Sequence, residues 1–534
     1  MIKLLEKAEP LIQFWFILIV CGLSLSPVMM SIGTIGLTVQ WLVDISFRKI
    51  KPWIFITFGA TRNWILLYLF FLLGMLWSEN WNYGWHDLRI KLPLLLLPMT
   101  MPAYLIELKK NQRHRIEWSF VISVFISALV SFLLVHNWMP FAELLTNKKL
   151  HLAKIREYSV FTSHVRMGLF VSLALALIWA KGKSNLGLKI ISWCLSVFLL
   201  YYLILIESAT GLALSILTGI LFILRYFRLR FPIRMRWFVG IGIGAILVLS
   251  LVYIHKQYLH YVTPQPNQEI TSEKTPSGNI YEHNANILQL ENGYYVHRFI
   301  CWHELQNIWS QRSSLDFNGK DYSGGELKYT LIRYLSSKGW RKDGNSISQL
   351  SDQEIQEIEN GLPNCKYSSM NGLTRRLDRL YFEYHMLSLG FSPNGHSLFQ
   401  RLIYWNNASH IIQNHWFAGV GTGDIEDAIN AEYAAQNHGL LKEYQLRTHN
   451  QYLTIWMSVG LIGILFCLLL SFQMIKSAKR YSLVALIYTM IVLISFLTED
   501  TLETQAGVTF VGFFTAWWLG APLWTSEKWR PTSV

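Results

Sequence analysis

The stretch from Leu186 to Arg230, LGLKIISWCLSVFLLYYLILIESATGLALSILTGILFILRYFRLR, decides the fold class. Residues 186–206 and 208–224 are two apolar runs separated by an acidic turn at Glu207. Lys189 sits near the outer edge of the first run, and Arg225, Arg228 and Arg230 follow the second. A run of about 17–25 apolar residues is enough for a helix to cross a hydrocarbon core of ~30 Å. Two such runs, acidic where they join and basic at their free ends, predict a membrane hairpin with its basic ends in the cytoplasm.

Working outward, further apolar runs lie near 11–30, 32–46, 63–77, 88–106, 117–136, 160–180, 237–254, 450–472, 481–498 and 505–524. The reading is an all-α polytopic membrane protein with about 12 transmembrane helices. Composition agrees: 52% of the 534 residues are hydrophobic and 15% charged, against roughly 25% charged in soluble proteins. The formal charge of +13 is carried mostly in short loops between the runs, so topology explains it, with membrane lipids rather than nucleic acid as the surroundings.

The basic loops alternate. Arg48, Lys49, Lys51 and Arg62 form the first, Lys109, Lys110, Arg113 and Arg115 the second, Lys181, Lys183 and Lys189 the third. Arg225, Arg228, Arg230, Arg234 and Arg236 follow, then Lys476, Lys479 and Arg480, then Lys528 and Arg530. Twelve spans put all of them, and both termini, on the cytoplasmic side. Residues 137–159, with Lys148, Lys149, Lys154 and Arg156, are the one mixed loop opposite. Three regions result: 1–254, with nine helices; 255–449, a large external insertion; and 450–534, with the last three spans. In the insertion, 262–293 reads as mobile loop. Helices are expected at 376–389, at 400–416 with Leu402, Trp405, Ile411 and Ile412 on one face, and at 424–436. GVGTGD at 419–424 reads as a tight interhelical turn whose glycines supply positive φ. Cys21, Cys194 and Cys467 fall in apolar runs; only Cys301 and Cys365 lie in the external insertion, where oxidation is permitted, and a disulfide between them is expected.

Ionisable residues at span ends are costly and tend to be functional. On this topology Arg166, Arg89, Lys91, Arg401, Arg447, His449, Glu499 and Asp500 all fall on the outer side. Read singly, each is an interfacial anchor or a snorkelling side chain; read together, they make an anion site beside a titratable base. Arginine grips phosphate oxygens with a two-pronged fork. Arg166, Arg401, Arg447 and Lys91 are therefore the candidate pyrophosphate ligands. His449, with an ordinary pKa of about 6.5, is the candidate general base, and Glu499 and Asp500 are its rivals.

At these residues the sequence resembles the O-antigen ligase and O-antigen polymerase family of lipid-linked glycan transferases. RLIYWNNASHIIQNHWFAGVGTGD (401–424) is similar to the family's arginine, tryptophan-containing helix and GVG-type turn, and HNQYLTIWMSVGLIGILF from His449 resembles its His-Asn motif opening a membrane helix. WSENWNYGWHDLRIKLPLLLLP (77–98) and LTEDTLETQAGVTFVGFF (497–514) carry weaker likeness. The resemblance implies a GT-C-like bundle with a mainly helical external insertion. It also implies an inverting, metal-independent transfer, without cofactor, of a glycan from an undecaprenyl-pyrophosphate carrier in the bacterial inner membrane, on its periplasmic face. His449 matches the family's proposed base and Arg401 its carrier-binding arginine. Where the family often shows Ser-Arg-Thr-Gly, this chain has Ser208-Ala209-Thr210-Gly211, and Arg166 on the neighbouring span is the candidate replacement. The acceptor favoured is lipid A core, making a ligase; a growing glycan (polymerase) and a protein hydroxyl (O-oligosaccharyltransferase) are the alternatives. A transporter of lipid-linked glycan would instead predict internal repeats and polar groups at mid-membrane.

Overall fold

The computed structural model describes residues 9–48, 59–105, 108–135, 159–180, 185–230, 232–266, 268, 274–391, 394–436 and 439–520. Lys49, Lys51, Lys148, Lys149, Lys154, Arg156, Lys181, Lys183, Lys528 and Arg530 lie outside the described residues. The helices before the insertion are α1 (Glu9–Leu25), α2 (Pro27–Arg48), α3 (Gly59–Leu73), α4 (Trp81–Lys91), α5 (Pro93–Leu105), α6 (Lys110–Val135), α7 (His164–Ala180), α8 (Leu186–Leu205), α9 (Ala209–Arg230) and α10 (Ile233–Tyr261). The insertion carries α11 (Trp302–Arg312), α12 (Leu327–Ser337), α13 (Gly344–Ser348), α14 (Asp352–Glu359), α15 (Gly372–Ser388), α16 (Ser397–Asn414) and α17 (Ile425–Ala435). After it come α18 (Gln451–Tyr481), α19 (Leu483–Thr498) and α20 (Gln505–Leu519).

Six described helices have the length and composition to cross a membrane: α2, α6, α8, α9, α10 and α18, with shorter apolar helices at α1, α3, α7 and α19. Two expected boundaries move, each at a proline. The first break falls at Ser26–Pro27, not after residue 30, and the 88–106 run is split at Leu92–Pro93 into a polar α4 and a short apolar α5. Proline disfavours helix in the residue before it and sits well at a helix start.

One apolar core joins both halves of the chain, from Ile12 and Phe16 through Phe170 and Leu214 to Ile455, Tyr488 and Phe514. α20 packs along α5, α18 along α19 and α3, and α7 along both α9 and α19. The α7–α9 crossing is close because Gly168 meets Gly211: a Cβ on Gly168 would stand 2.8 Å from the Gly211 Cα. Ser208 Oγ donates to His164 O there, and Ser172 Oγ to Gly211 O. Small residues at a membrane crossing let backbones approach like this.

The insertion is two things rather than one. From Val296 to Ile358, side chains including Leu305, Trp309, Leu331, Leu335 and Ile347 gather round a separate core. α15 to α17 pack instead on the bundle's end. Within the stretch expected as loop, 274–293 packs on the first unit, and residues 267 and 269–273 lie outside the described residues. Thr275 and Asn279 donate to the buried Glu304 carboxylate, Tyr281 donates to Asp343, and a short hairpin pairs Leu290–Glu291 with Tyr294–Tyr295. Polar side chains that read as loop are here spent on buried acceptors. Cys301 and Cys365 are both free thiols, against the expected disulfide. Cys301 precedes α11, while Cys365 Sγ donates to Ser337 O on the far end of α12.

Candidate active site

The turn after α19, Glu499-Asp500-Thr501-Leu502-Glu503, collects the candidate residues from four elements: α4, α7, α16 and the segment before α18. Glu499 receives two of them. Arg401 from α16 donates to its Oε1 at 3.1 Å, and the Nδ1 of His449, just before α18, lies 3.3 Å from its Oε2. Burial would raise the Glu499 carboxyl, yet its hydrogen bond to His449 and the charges of His449, Arg401 and Arg166 hold it below the ordinary carboxylate range. Arg166 therefore belongs to the same cluster. It sits two residues from Gly168, near the crossing that brings 164–168 against 208–211. A small cleft of about 190 Å3 runs past Arg166 between Leu23, Pro27, Met30, Phe161 and Gln505.

His449 is held by its backbone. Its φ is +48°, the left-handed region that side-chain-bearing residues rarely adopt. The cost is of order 1–3 kcal/mol and persists only where surroundings impose it. Asp500 imposes it: its Oδ2 accepts from His449 N–H at 2.8 Å, and its Oδ1 from Thr448 and Thr454 hydroxyls at 3.0 and 2.7 Å. Asn450 then caps α18 by accepting from Tyr452 and Leu453 N–H. The Tyr404 ring lies 5.8 Å from the imidazole, and Trp405 Nε1 donates to Thr448 O at 3.0 Å. The face of α16 that turns inward is thus Tyr404, Ala408, Ile411 and Ile412; Leu402, expected on it, is 52% exposed. Among the described residues nothing hydrogen-bonds His449 Nε2, and the side chain is 30% exposed.

Glu503 organises a second, closed cluster. Lys91 from α4 donates to both Asp87 oxygens at 2.6 and 2.7 Å and to Glu503 Oε2 at 2.8 Å. Arg447 donates to the same Oε2 at 2.6 Å, and Gln451 to Oε1 at 3.2 Å. Lys91 is fully buried. Its three N–H donors are all used on Asp87 and Glu503, so Lys91 presents no open donor in this arrangement. Arg447 stays partly open, its guanidinium 5.5 Å from the Tyr83 ring. Burial and Glu503 hold Asp87 above its ordinary range, while Lys91 and Arg447 hold Glu503 below its own despite burial. Among the described residues, Arg89 pairs with His86 at the surface.

As rivals for the base, Asp500 and Glu499 differ. Asp500 is buried with both oxygens occupied by donors that fix the turn; Glu499 is occupied by Arg401 and His449. Sequence reading missed Glu503, Asp87 and Thr448. The signal was present: each lies inside a stretch or beside a residue already singled out, but three acids within five residues cannot be assigned partners by spacing.

GVGTGD is a structural turn. Gly419 and Gly421 have φ of +72° and +100°, and Val420 and Gly421 N–H donate to Met457 O and Ser458 O. Those carbonyls are freed by a kink in α18 at Val459–Gly460, whose next residue, Leu461, donates back to Trp416 and Phe417 O. Gly423 N–H goes to Ser78 Oγ. Asp424 in turn accepts from Glu79 and Asn80 N–H, tying the turn to the loop before α4.

No curated protein matches the chain. Residues 365–468 match the family model Wzy_C, described as O-Antigen ligase; the matched stretch contains Arg401, the glycine turn, Arg447 and His449, and supports the O-antigen ligase family for this chain.

Proposed function

We propose that this protein is a glycosyltransferase of the bacterial inner membrane. It moves a glycan from undecaprenyl pyrophosphate to an acceptor hydroxyl, with lipid A core as the acceptor and the periplasmic face as the reaction side. The observation that carries the reading is the Glu499–His449 pair beside Arg401 and Arg166. A carboxylate on Nδ1 fixes the tautomer that leaves the Nε2 lone pair for a substrate. The acceptor O–H attacks the anomeric carbon as its proton passes to His449 Nε2. The bond from that carbon to the pyrophosphate oxygen breaks, its electron pair leaving with the pyrophosphate, and the anomeric configuration inverts. Arg401, Arg166 and the open side of Arg447 bind the leaving anion through charge-assisted bonds, each worth roughly 1.5–3 kcal/mol. The cleft past Arg166, apolar on one wall, suits the first isoprene units of the carrier.

Connectivity supports the sidedness. Glu207, the 74–80 loop, the 499–503 turn and the insertion share one end of the bundle, and Arg62, Arg113, Lys189 and Arg228 lie towards the other. A reporter fused at residue 230 should read cytoplasmic and one at 340 periplasmic. Purified protein, lipid-linked glycan and lipid A core are the direct assay of activity. A product in which the glycan is joined to core is expected, and its absence with turnover on a glycan or protein acceptor would reassign the acceptor.

A further inference from the structure

The unit with its own core, residues 274–364, lies ahead of the family-matched stretch, which begins at 365, and supplies nothing to the 499–503 turn. It does carry a cleft of about 470 Å3 between the 274–281 strip and the 339–349 segment. Trp340, Arg341, Asn345, Gln349, Lys274 and Tyr281 line it.

The walls are fixed. Asp343 is buried and accepts from Tyr281 OH and from Ser346 N–H. Arg341 lies over the Phe299 ring at 4.9 Å and the Tyr281 ring at 5.6 Å. Trp340 is half-buried, its backbone N–H donating to Leu335 O, with the Lys338 ammonium 3.7 Å from its ring centre. Asn345 and Gln349 are exposed and one helical turn apart. Each amide offers a donor and an acceptor side by side, which is what two neighbouring sugar hydroxyls require. An indole beside them supplies a flat apolar surface with a polar edge. A free anion would want cations without a carboxylate between them, and Asp343 stands in this wall. An extended peptide would want an exposed sheet edge, and the only strands among the described residues are two residues long.

We infer that this cleft is a glycan-binding subsite, holding sugar units of the lipid-linked donor away from its reacting end; the inference rests on the reading that the chain transfers a glycan. The unit is tied to the bundle through α10 and α15. Tyr261 OH of α10 donates to Leu290 O, His385 Nε2 of α15 lies 3.3 Å from Leu288 O, and the Arg333 guanidinium stands 3.9 Å from the Phe382 ring of α15; Arg375 and Arg379 of α15 in turn pair with the buried Glu207 at the α8–α9 turn. A glycan held in the cleft is therefore held relative to the transfer site, which favours donors long enough to occupy both.

The test uses the full chain in detergent and, as probe, the lipid-free glycan released by mild acid from the pyrophosphate-linked donor, read by titration calorimetry. The double variant Asn345→Ala/Gln349→Ala changes two exposed side chains and keeps the fold; Trp340→Ala is the stronger second variant. Wild type should bind, and the double variant should bind about tenfold more weakly, as loss of two net hydrogen bonds implies. It should also raise KM about tenfold for long-glycan donors, with kcat unchanged and single-repeat donors unaffected. No binding by wild type, or equal binding by the double variant, overturns the subsite. His449→Ala run alongside separates the two readings. Lost transfer with retained glycan binding supports both; normal transfer with binding still lost in the double variant overturns the base assignment and leaves the subsite standing.

Discussion

Glu499 and Glu503 stand four residues apart on one turn, and each is paired with two basic side chains, yet they build opposite environments. Around Glu499 the partners are Arg401 and His449, both more than a quarter exposed, with Arg166 close by. Around Glu503 they are Lys91, with no exposed surface, and Arg447, with Asp87 closing the set. Paired cations can hold a substrate only if some donors face outward; a lysine with every donor spent can only hold protein. The difference teaches that residues grouped by their position at one membrane surface divide, in three dimensions, into a half open to solvent and a closed half. Asp500 lies between them, its carboxylate accepting from the His449 N–H and the Thr448 and Thr454 hydroxyls.

The largest effect expected from this division is on the open side. His449→Ala should lower transfer by about 10²–10⁴-fold, the usual cost of losing a general base, with membrane insertion and carrier binding preserved. Near-normal turnover in the lipid-linked transfer assay would remove His449 from that role, and a matching collapse in Glu499→Gln alone would move it there. The closed side should fail differently. Lys91→Met leaves two buried carboxylates facing each other, and breaking a buried pair typically costs ~3–5 kcal/mol. Thermal unfolding in detergent should show that loss, while any protein that remains folded keeps its affinity for carrier. A stable Lys91→Met protein with weakened carrier binding would put Lys91 back among the ligands. Smaller again is Arg401→Lys. The charge stays and the fork is lost, so carrier binding should weaken about tenfold, consistent with one charge-assisted hydrogen bond. Unchanged affinity there would mean that Arg401 serves only to hold Glu499.

Much of the bundle was legible because apolar length is a direct physical requirement of the bilayer: each of the twelve runs carries a helix. Its breaks were harder. Ser26–Pro27 and Leu92–Pro93 sit inside hydrophobic stretches, where hydropathy alone cannot place a boundary that proline sterics set. Arg401, Arg166, Arg447, His449 and Glu499 were singled out from cost at the membrane surface and from family likeness, and the structure places them around one turn, 499–503. Lys91 looked equivalent to them in sequence, since nothing in KLPLLLLP announces a buried partner 412 residues away. The separate core of residues 296–358 was not legible either. Its helices are short, its apolar positions follow no sustained period, and beside its apolar core stand buried polar pairs, Thr275–Glu304 and Tyr281–Asp343, that spacing does not announce.

The smallest effect expected, and the finest test of the two halves, is their response to acid. Glu499 is held below its ordinary pKa by His449, Arg401 and Arg166 against the cost of burial. In the unfolded chain it titrates near an ordinary glutamate value of about 4.3. A carboxyl with a depressed folded pKa contributes stability that is complete above the unfolded value and is lost as pH falls through the folded one. Glu503 is depressed further, by Lys91 and Arg447, so it still holds its partners at a pH where Glu499 has begun to protonate. Acidification below about pH 4 should therefore release His449 and Arg401 first, while the closed side still braces the turn. The measurement is the melting temperature of wild type and Glu499→Gln from pH 7 to pH 3. The two should differ most at neutral pH and converge as acid removes the charge that the variant never had. Glu503→Gln should remain less stable than wild type throughout that range. A Glu499→Gln deficit that stays constant down to pH 3 would show that the Glu499 charge contributes nothing to the fold, and that the pair with His449 is held by packing alone.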